Sequence, residues 1–372
     1  MLKTGFVGWR GVVGSVLMQR MKDEGDFSKL KPYFFSTSQI GEPAPDYSQA
    51  ATKLLDAYSI KDLKALDAII STQGGEYTNQ IYSKLRQEGW TGYWIDASSN
   101  LRLKEDSVIA LDPINALQIR QGLKSGIKNY IGGNCTVSLM LMAIHGMLKE
   151  NLVDWIQVST YQAISGAGSL AMKELFSQIS HVMQYLSSNG KANASGLDLE
   201  KNIHKALATQ ELPTTQIDGV LANNILPWIG QPESQGQTRE EWKGFVETNK
   251  ILGRNPPIPV DSTCVRVATL RCHCQAITMK LKHNIALQEI EQTLKGANPW
   301  VEIVPNERQS TLNHLTPVAV ADSLKIKVGR LRKLHVGPNF IQMFTVGDQL
   351  LWGAAEPIRR VLRMVVNHKA YW

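Results

Sequence analysis

At 372 residues, 43% hydrophobic and 20% charged, the chain is too apolar for disorder and too long for one simple core; it reads as two globular domains. The formal net charge of +7 is spread over scattered Lys and Arg, with no dense basic run interleaved with aromatics, which argues against nucleic acid and for small anionic ligands. Four cysteines without a disulfide framework, no export signal and no apolar run of ~18 residues lead us to expect a cytoplasmic protein with no membrane partner.

The amino-terminal third alternates short apolar runs with helical periods, the pattern of a parallel sheet with crossover helices. Thr4–Val7 reads as the first strand. It breaks at Gly8-Trp9-Arg10-Gly11-Val12-Val13-Gly14 and continues as a helix through Val16, Leu17, Arg20 and Met21. Glycines spaced G-x-x-G-x-x-G across a strand-to-helix turn leave backbone N–H groups open to a phosphate. The second strand, Pro32–Phe35, ends in Ser36-Thr37-Ser38, where an NAD-specific fold usually carries an acidic residue for the ribose hydroxyls. Hydroxyls without a carboxylate, together with Arg10 in the glycine turn, favour a 2′-phosphate and hence NADP. Leu66–Ser71 and Gly92–Asp96 read as later strands, followed by the loops Gln73-Gly74-Gly75 and Ser98-Ser99-Asn100-Leu101-Arg102.

Gly132-Gly133 then delivers Asn134-Cys135-Thr136 to a long apolar run, Val137–Ile144. Asn134 is a good N-cap, and a cysteine in a first helical turn sits near open N–H groups and the positive end of the helix dipole, which favour thiolate. Cys135 is therefore a candidate nucleophile; the alternative is a small buried apolar residue. Ile156–Tyr161 reads as a strand leading to Gln162 and the turn Ser165-Gly166-Ala167-Gly168. Thr238-Arg239-Glu240-Glu241 reads as a capping box that uses Glu241 and frees Glu240 to share a helix face with Lys243. Val265–Lys282 alternates like a strand and Ala286–Leu294 has a helical period; Ser187–Gln237 carries little pattern. The final segment sets Ile358, Val361, Leu362, Val365 and Val366 on one helix face, with Arg359, Arg360 and Arg363 off it on a face expected to be solvated.

Nearly end to end, the chain resembles the aspartate-semialdehyde dehydrogenases of Gram-negative bacterial type. The resemblance rests on Gly8-Trp9-Arg10-Gly11, Phe34–Ser38, Gln73-Gly74-Gly75, Gly132–Met140, Glu240–Gly244, Arg271-Cys272-His273 and Gly347–Gly353. It implies a Rossmann-like α/β dinucleotide-binding domain (1–133), a mixed α+β catalytic and dimerisation domain (134–354) of the glyceraldehyde-3-phosphate-dehydrogenase kind, and a carboxyl-terminal helix (355–372) returning to the first domain. It also implies a homodimer that reduces aspartyl 4-phosphate to aspartate semialdehyde with NADPH, releasing inorganic phosphate, on the route to lysine, diaminopimelate, threonine and methionine.

Residue by residue, the resemblance makes Cys135 the nucleophile of a thioester and thiohemiacetal, His273 the acid/base group, and Gln162 the amide that orients the substrate carbonyl. Asn134 joins the substrate site. Arg102 and Lys243 correspond to the phosphate contacts, Arg266 to the α-carboxylate contact and Glu240 to the amine contact. Gly8, Arg10, Gly11, Val12, Val13, Thr37, Ser38, Gln73, Ser165, Gly166 and Gln349 correspond to cofactor contacts, and no metal is implied.

Arg266 and His273 are an odd number of residues apart, so a regular strand would point them to opposite faces; a bulge or bend between Ala268 and Cys272 is expected. Cys274 stands where the family pattern has Ser. Three further readings are open at this point. N-acetyl-glutamyl-phosphate reductase uses the same thiol logic, but its acetylated substrate amine needs no acid such as Glu240. A non-catalytic NADP-binding protein would keep the glycine turn alone. Cys264, Cys272, His273 and Cys274 could offer zinc-type ligands, although adjacent strand residues point apart and no C-x-x-C knuckle is present.

Overall fold

The computed structural model describes residues 1–48, 51–189 and 194–370. Its first half builds β1 (Leu2–Val7), α1 (Val12–Asp23), β2 (Leu30–Ser36), β3 (Leu55–Asp56), α2 (Ile60–Lys64), β4 (Ala68–Ser71), α3 (Gly75–Gln87), β5 (Tyr93–Asp96), β6 (Ser107–Ala110), α4 (Asp112–Lys124) and β7 (Asn129–Gly132). Seven strands form one parallel sheet in the order β3-β2-β1-β4-β5-β7-β6. Helices cover both faces, which is why β4 to β7 are buried throughout rather than alternating.

The chain then forms α5 (Cys135–Lys149), β8 (Val153–Gln162), α6 (Ser169–Asn189), α7 (Gly196–Leu207), α8 (Arg239–Leu252), β9 (Val260–Arg266), β10 (Cys272–Leu281), α9 (Leu287–Ala297), β11 (Val301–Ile303), α10 (Arg308–His314), α11 (Pro317–Val320), β12 (Ile326–Leu334), β13 (Gly337–Asp348) and α12 (Glu356–Ala370). Six strands make a mixed sheet, β11-β12-β13-β10-β8-β9. The apolar run Val137–Ile144 makes α5 hydrophobic almost all round, so it is buried against this sheet as the centre of the second core.

The segment read as one alternating strand over 265–282 is two strands. The alternation is real on both sides, but β9 ends at Arg266 and β10 begins at Cys272, with β8 lying between them in the sheet. Residues 267–271 pass over the end of β8, where Thr269 and Leu270 carbonyls accept the N–H groups of Ile164 and Ser165. The expected bend is thus a chain reversal, since β9 runs parallel to β8 and β10 antiparallel to it.

The carboxyl-terminal helix packs into the core of the first sheet through Ile358, Val361, Leu362 and Val365. Its basic face is not the solvated one expected. Arg359 is 1% exposed, with Nη1 donating to Asp26 at 2.7 Å and Nε and Nη2 donating to Glu356. Arg360 makes a bidentate pair with Asp112, and Arg363, the most exposed of the three, still lies 3.6 Å from Glu24 and 3.5 Å from Asp26. Helical periodicity marks the apolar face but is silent about the carboxylates that the turn after α1 and the start of α4 bring to it. In the patternless stretch, Ser195 and Asp198 form a capping box that starts α7; the part of that stretch at 190–193 lies outside the described residues.

Candidate active site

The site is assembled where α5 begins. Asn134 Oδ1 accepts the N–H groups of Thr136 (3.0 Å) and Val137 (3.2 Å) and the Thr136 hydroxyl (2.6 Å), so the N-cap read from the sequence is made. The same side chain turns its amide outward, donating through Nδ2 to Glu240 Oε1 at 2.9 Å. On α8 the Thr238–Glu241 capping box is formed as expected, and Glu240 binds Lys243 Nζ at 3.1 Å through its other oxygen. This pair is not a solvated one, because Glu240 is buried.

Cys135 Sγ lies 3.2 Å from His273 Nε2. The ring is held from behind by the backbone N–H of Ala163, which donates to Nδ1 at 2.9 Å. The Ala163 carbonyl accepts Arg266 Nη1 at 2.8 Å, so the end of β8 gathers His273 from β10 and Arg266 from β9. Gln162, buried beside Ala163, donates to Thr160 Oγ1 at 3.1 Å. A Cβ placed on Gly166 would lie 3.2 Å from Arg266 Nη1 and 3.7 Å from His273 Nε2, so this turn sits directly over both groups. Gln349 Nε2 donates to Ser165 Oγ at 2.7 Å, joining the two candidate cofactor contacts of the second domain.

Arg102 is buried and spends three of its five N–H donors on protein: Gly132 O at 2.7 Å, Ala97 O at 3.2 Å and Glu247 Oε1 at 3.0 Å. Two donors remain for an anion. Glu247 was not singled out in the sequence, yet its other oxygen accepts the backbone N–H of Asn134 at 2.7 Å, tying Arg102 to the start of α5. Gly353 is a second omission. A Cβ there would meet Cys135 Cβ at 2.8 Å and Cα at 3.2 Å, so the chain after β13 is laid against Cys135. The seven-residue spacing of Glu240 and Glu247 on one helix is a usable signal; Gly353 closes the Gly347–Gly353 block, but nothing local ties it to Cys135.

Electrostatics overturn the expectation of a thiolate at rest. Burial, and then the Glu240 carboxylate, push the Cys135 thiol up to about 12, against the pull of Arg266, Lys243 and Arg102. Burial, then Arg266, bring His273 down to about 3. The loss of water at this helix end outweighs the dipole. Burial also works to raise Glu240, but Lys243, the Asn134 amide and Arg266 outweigh it and hold that carboxyl below its ordinary value. Both shifts run toward the neutral thiol and the neutral imidazole.

At the same carboxyl-terminal edge of the first sheet, beyond β1, β2 and β4, Gly8, Arg10, Gly11, Thr37 and Gln73 line a cavity of about 310 Å³. Gly8 has φ +77, and a Cβ on it would meet Gln73 N at 2.5 Å, so the β1 and β4 loops meet there only through glycine. Gly11, which lines the cavity, is the N-cap of α1 and lacks a side-chain cap, and Val12 and Val13 open the helix, so this helix start is free to receive an anion. Arg10 Nη2 donates to Ser36 Oγ at 2.8 Å, and that oxygen also accepts the N–H groups of Ser38 and Gln39. A guanidinium beside open hydroxyls fits a phosphorylated dinucleotide. Among the described residues no group of three His, Cys, Asp or Glu side chains is arranged for a metal ion.

A parallel nucleotide-binding sheet joined to a mixed sheet that presents a capped cysteine, a histidine and several cationic side chains is the architecture of a dinucleotide-dependent dehydrogenase. Residues 3–122 match the family model described as semialdehyde dehydrogenase, NAD binding domain, and residues 144–352 the model described as semialdehyde dehydrogenase, dimerisation domain. The aspartate semialdehyde dehydrogenase of Francisella tularensis is 48% identical and superposes with a TM-score of 0.95 over 98% of this chain and 100% of that one. Aspartate semialdehyde dehydrogenase II of Vibrio cholerae, in complex with ASA, is 21% identical (TM-score 0.77, 99% and 98% covered), and the Candida albicans enzyme with NADP is 15% identical (TM-score 0.66, 100% and 99% covered). These last two share the fold. The chain belongs to the aspartate-semialdehyde dehydrogenase family, and it is an oxidoreductase with a nicotinamide-dinucleotide-binding domain. The matches do not favour the acetyl-glutamyl-phosphate alternative.

Proposed function

We propose that the chain reduces L-aspartyl 4-phosphate to L-aspartate 4-semialdehyde with NADPH, releasing inorganic phosphate, within amino-acid biosynthesis. The observation that carries the reading is Cys135 Sγ at 3.2 Å from His273 Nε2, ringed by Arg102, Arg266 and Lys243. Two anionic groups on one substrate suit that ring: Arg266 takes the α-carboxylate, Arg102 and Lys243 the phosphate, and Glu240 the ammonium. Asn134 and Gln162 orient the substrate carbonyl. The sulfur of Cys135 attacks the acyl carbon, the C–O bond to phosphate breaks, and the thiol proton leaves with the phosphate. NADPH, when bound, supplies a hydride. Gly8, Arg10, Gly11, Val12, Val13, Thr37, Ser38 and Gln73 would hold its adenosine and phosphates, and Ser165, Gly166 and Gln349 its nicotinamide end.

We further propose the division 1–133, 134–354 and 355–372 for the chain, a cytoplasmic setting and a homodimer. For the dimer, α6 exposes Leu170, Phe176, Ile179 and Met183, an apolar surface that a second copy would cover. No helix among the described residues is long and apolar enough to cross a membrane. The test is NADPH formation from aspartate semialdehyde and NADP with and without phosphate, in the wild type and Cys135→Ala. Phosphate-dependent turnover lost in the variant supports the reading; no turnover by folded wild type overturns it.

A further inference from the structure

Asn134 caps α5 with its side chain, but the return half of a capping box is closed to it locally. That bond runs from the N-cap N–H to a Glu or Gln side chain at the third helical residue, and Val137 stands there. Glu247, reaching over from α8 and only 2% exposed, makes the bond instead: its Oε2 accepts the Asn134 N–H at 2.7 Å. Its Oε1 accepts Arg102 Nη1 at 3.0 Å. The other two partners of Arg102, the carbonyls of Gly132 and Ala97, belong to the first sheet and the loop after β5. Of the three partners, Glu247 alone comes from beyond Asn134. One carboxylate therefore joins the guanidinium to the backbone of the residue that precedes Cys135.

We infer that Glu247 is a positioning residue for the phosphate group: by clamping Arg102 to the backbone of Asn134, it holds the two free N–H donors of Arg102 at a fixed place relative to Cys135. The inference rests on the proposed reading of Arg102 as a phosphate contact. Both partners of Glu247 are donors, so both of its oxygens must accept, and an ionised carboxylate is the side chain that does this. In Glu247→Gln one of the two ends becomes a donor. The Asn134 N–H is fixed by the start of α5, whereas Arg102 reaches its place on a flexible side chain. The amide oxygen therefore stays with the backbone, and the amide nitrogen meets the guanidinium, donor against donor. Arg102 shifts, and alignment on phosphate is lost. The contacts of Cys135 with His273 and of Asn134 with Glu240 share no atom with that change.

The test is steady-state turnover of the intact enzyme with aspartate semialdehyde, NADP and inorganic phosphate. Glu247→Gln is expected to raise KM for phosphate at least about tenfold, with KM for aspartate semialdehyde and for NADP within about threefold of wild type. Glu247→Asp keeps the charge but withdraws both oxygens by one methylene; it is expected to show the same selectivity at about threefold or more, and it carries the test if the Gln variant does not fold. In an Arg102→Gln background, adding Glu247→Gln is expected to leave KM for phosphate within about threefold, because the group through which Glu247 acts is gone. An unchanged KM for phosphate in the single variants overturns the inference, as does a parallel rise of every KM, which loosened structure would give. A further rise of about tenfold in the double variant also overturns it. Wild type without phosphate-dependent turnover overturns the proposed function and takes this inference with it, so the two failures are told apart.

Discussion

Replacing Asn134 by Ala removes two functions of one side chain. The cap to Thr136 and Val137 is worth about 1 kcal/mol. The hydrogen bond from the amide to the charged Glu240, at 2.9 Å, is worth about 2 kcal/mol, because the carboxylate stays buried with Lys243 as its remaining hydrogen-bond partner. Asn134→Ala is therefore expected to lose about 3 kcal/mol in urea unfolding at unchanged m-value. Asn134→Asp separates the two functions: it keeps the cap acceptors but sets a carboxylate against Glu240 in place of a donor, so the helix start survives while substrate-amine affinity falls. The assay pairs urea midpoints with KM and kcat for aspartate semialdehyde. An Ala variant within about 0.5 kcal/mol of wild type, or an Asp variant with unchanged KM, would refute the linked cap and Glu240 contact.

The remaining expectations concern packing, charge and pH. Gly353→Ala brings a methyl to 2.8 Å from Cys135 Cβ and is expected to lower kcat about 10²-fold with a far smaller change in thermal midpoint. Arg359→Leu leaves Glu356 with Arg20 and Asp26 with Arg363 as their remaining cations, and is expected to cost about 3 kcal/mol in chemical unfolding, where a solvated arginine would cost next to nothing. Arg10→Ala is expected to reduce the preference for NADPH over NADH about tenfold in kcat/KM, a loss of about 1.4 kcal/mol. In the folded protein His273 binds its proton only near pH 3, whereas unfolded histidine binds near 6.5, so the unfolded state holds more protons between the two and stability falls as pH drops through that range. One such group contributes a slope of about 1.4 kcal/mol per pH unit, which His273→Gln should remove from urea midpoints measured below about pH 6. Cys135 acts at the other limb: its raised value makes stability fall as pH rises above about 9, with Cys135→Ala flattening that limb.

Local signals carried much of the architecture. The glycine turn between β1 and α1, the Asn134 cap and the Thr238–Glu241 box are all set by neighbours within a few residues, where capping and turn chemistry act. What the sequence concealed is non-local. Glu247 looks like one more helix charge until Arg102, 145 residues away, is folded onto it. Arg359 belongs to a polar face by periodicity, and only tertiary packing supplies Asp26. The interruption between β9 and β10 was foreseen from the face conflict of Arg266 and His273, but the insertion of β8 between them depends on sheet order, which alternation does not encode. The thiolate expected at the α5 terminus failed for the same reason, since the dipole is local and burial is not.

The most direct test of the account withholds phosphate. Mixed with aspartate semialdehyde and NADP in phosphate-free buffer, the enzyme is predicted to release a burst of NADPH no larger than its active-site concentration and then stall. Mass spectrometry should then find the acyl group on Cys135, and added phosphate should restart turnover. Absence of a burst, or an acyl group on any other residue, would contradict a thioester at Cys135 as the centre of the mechanism.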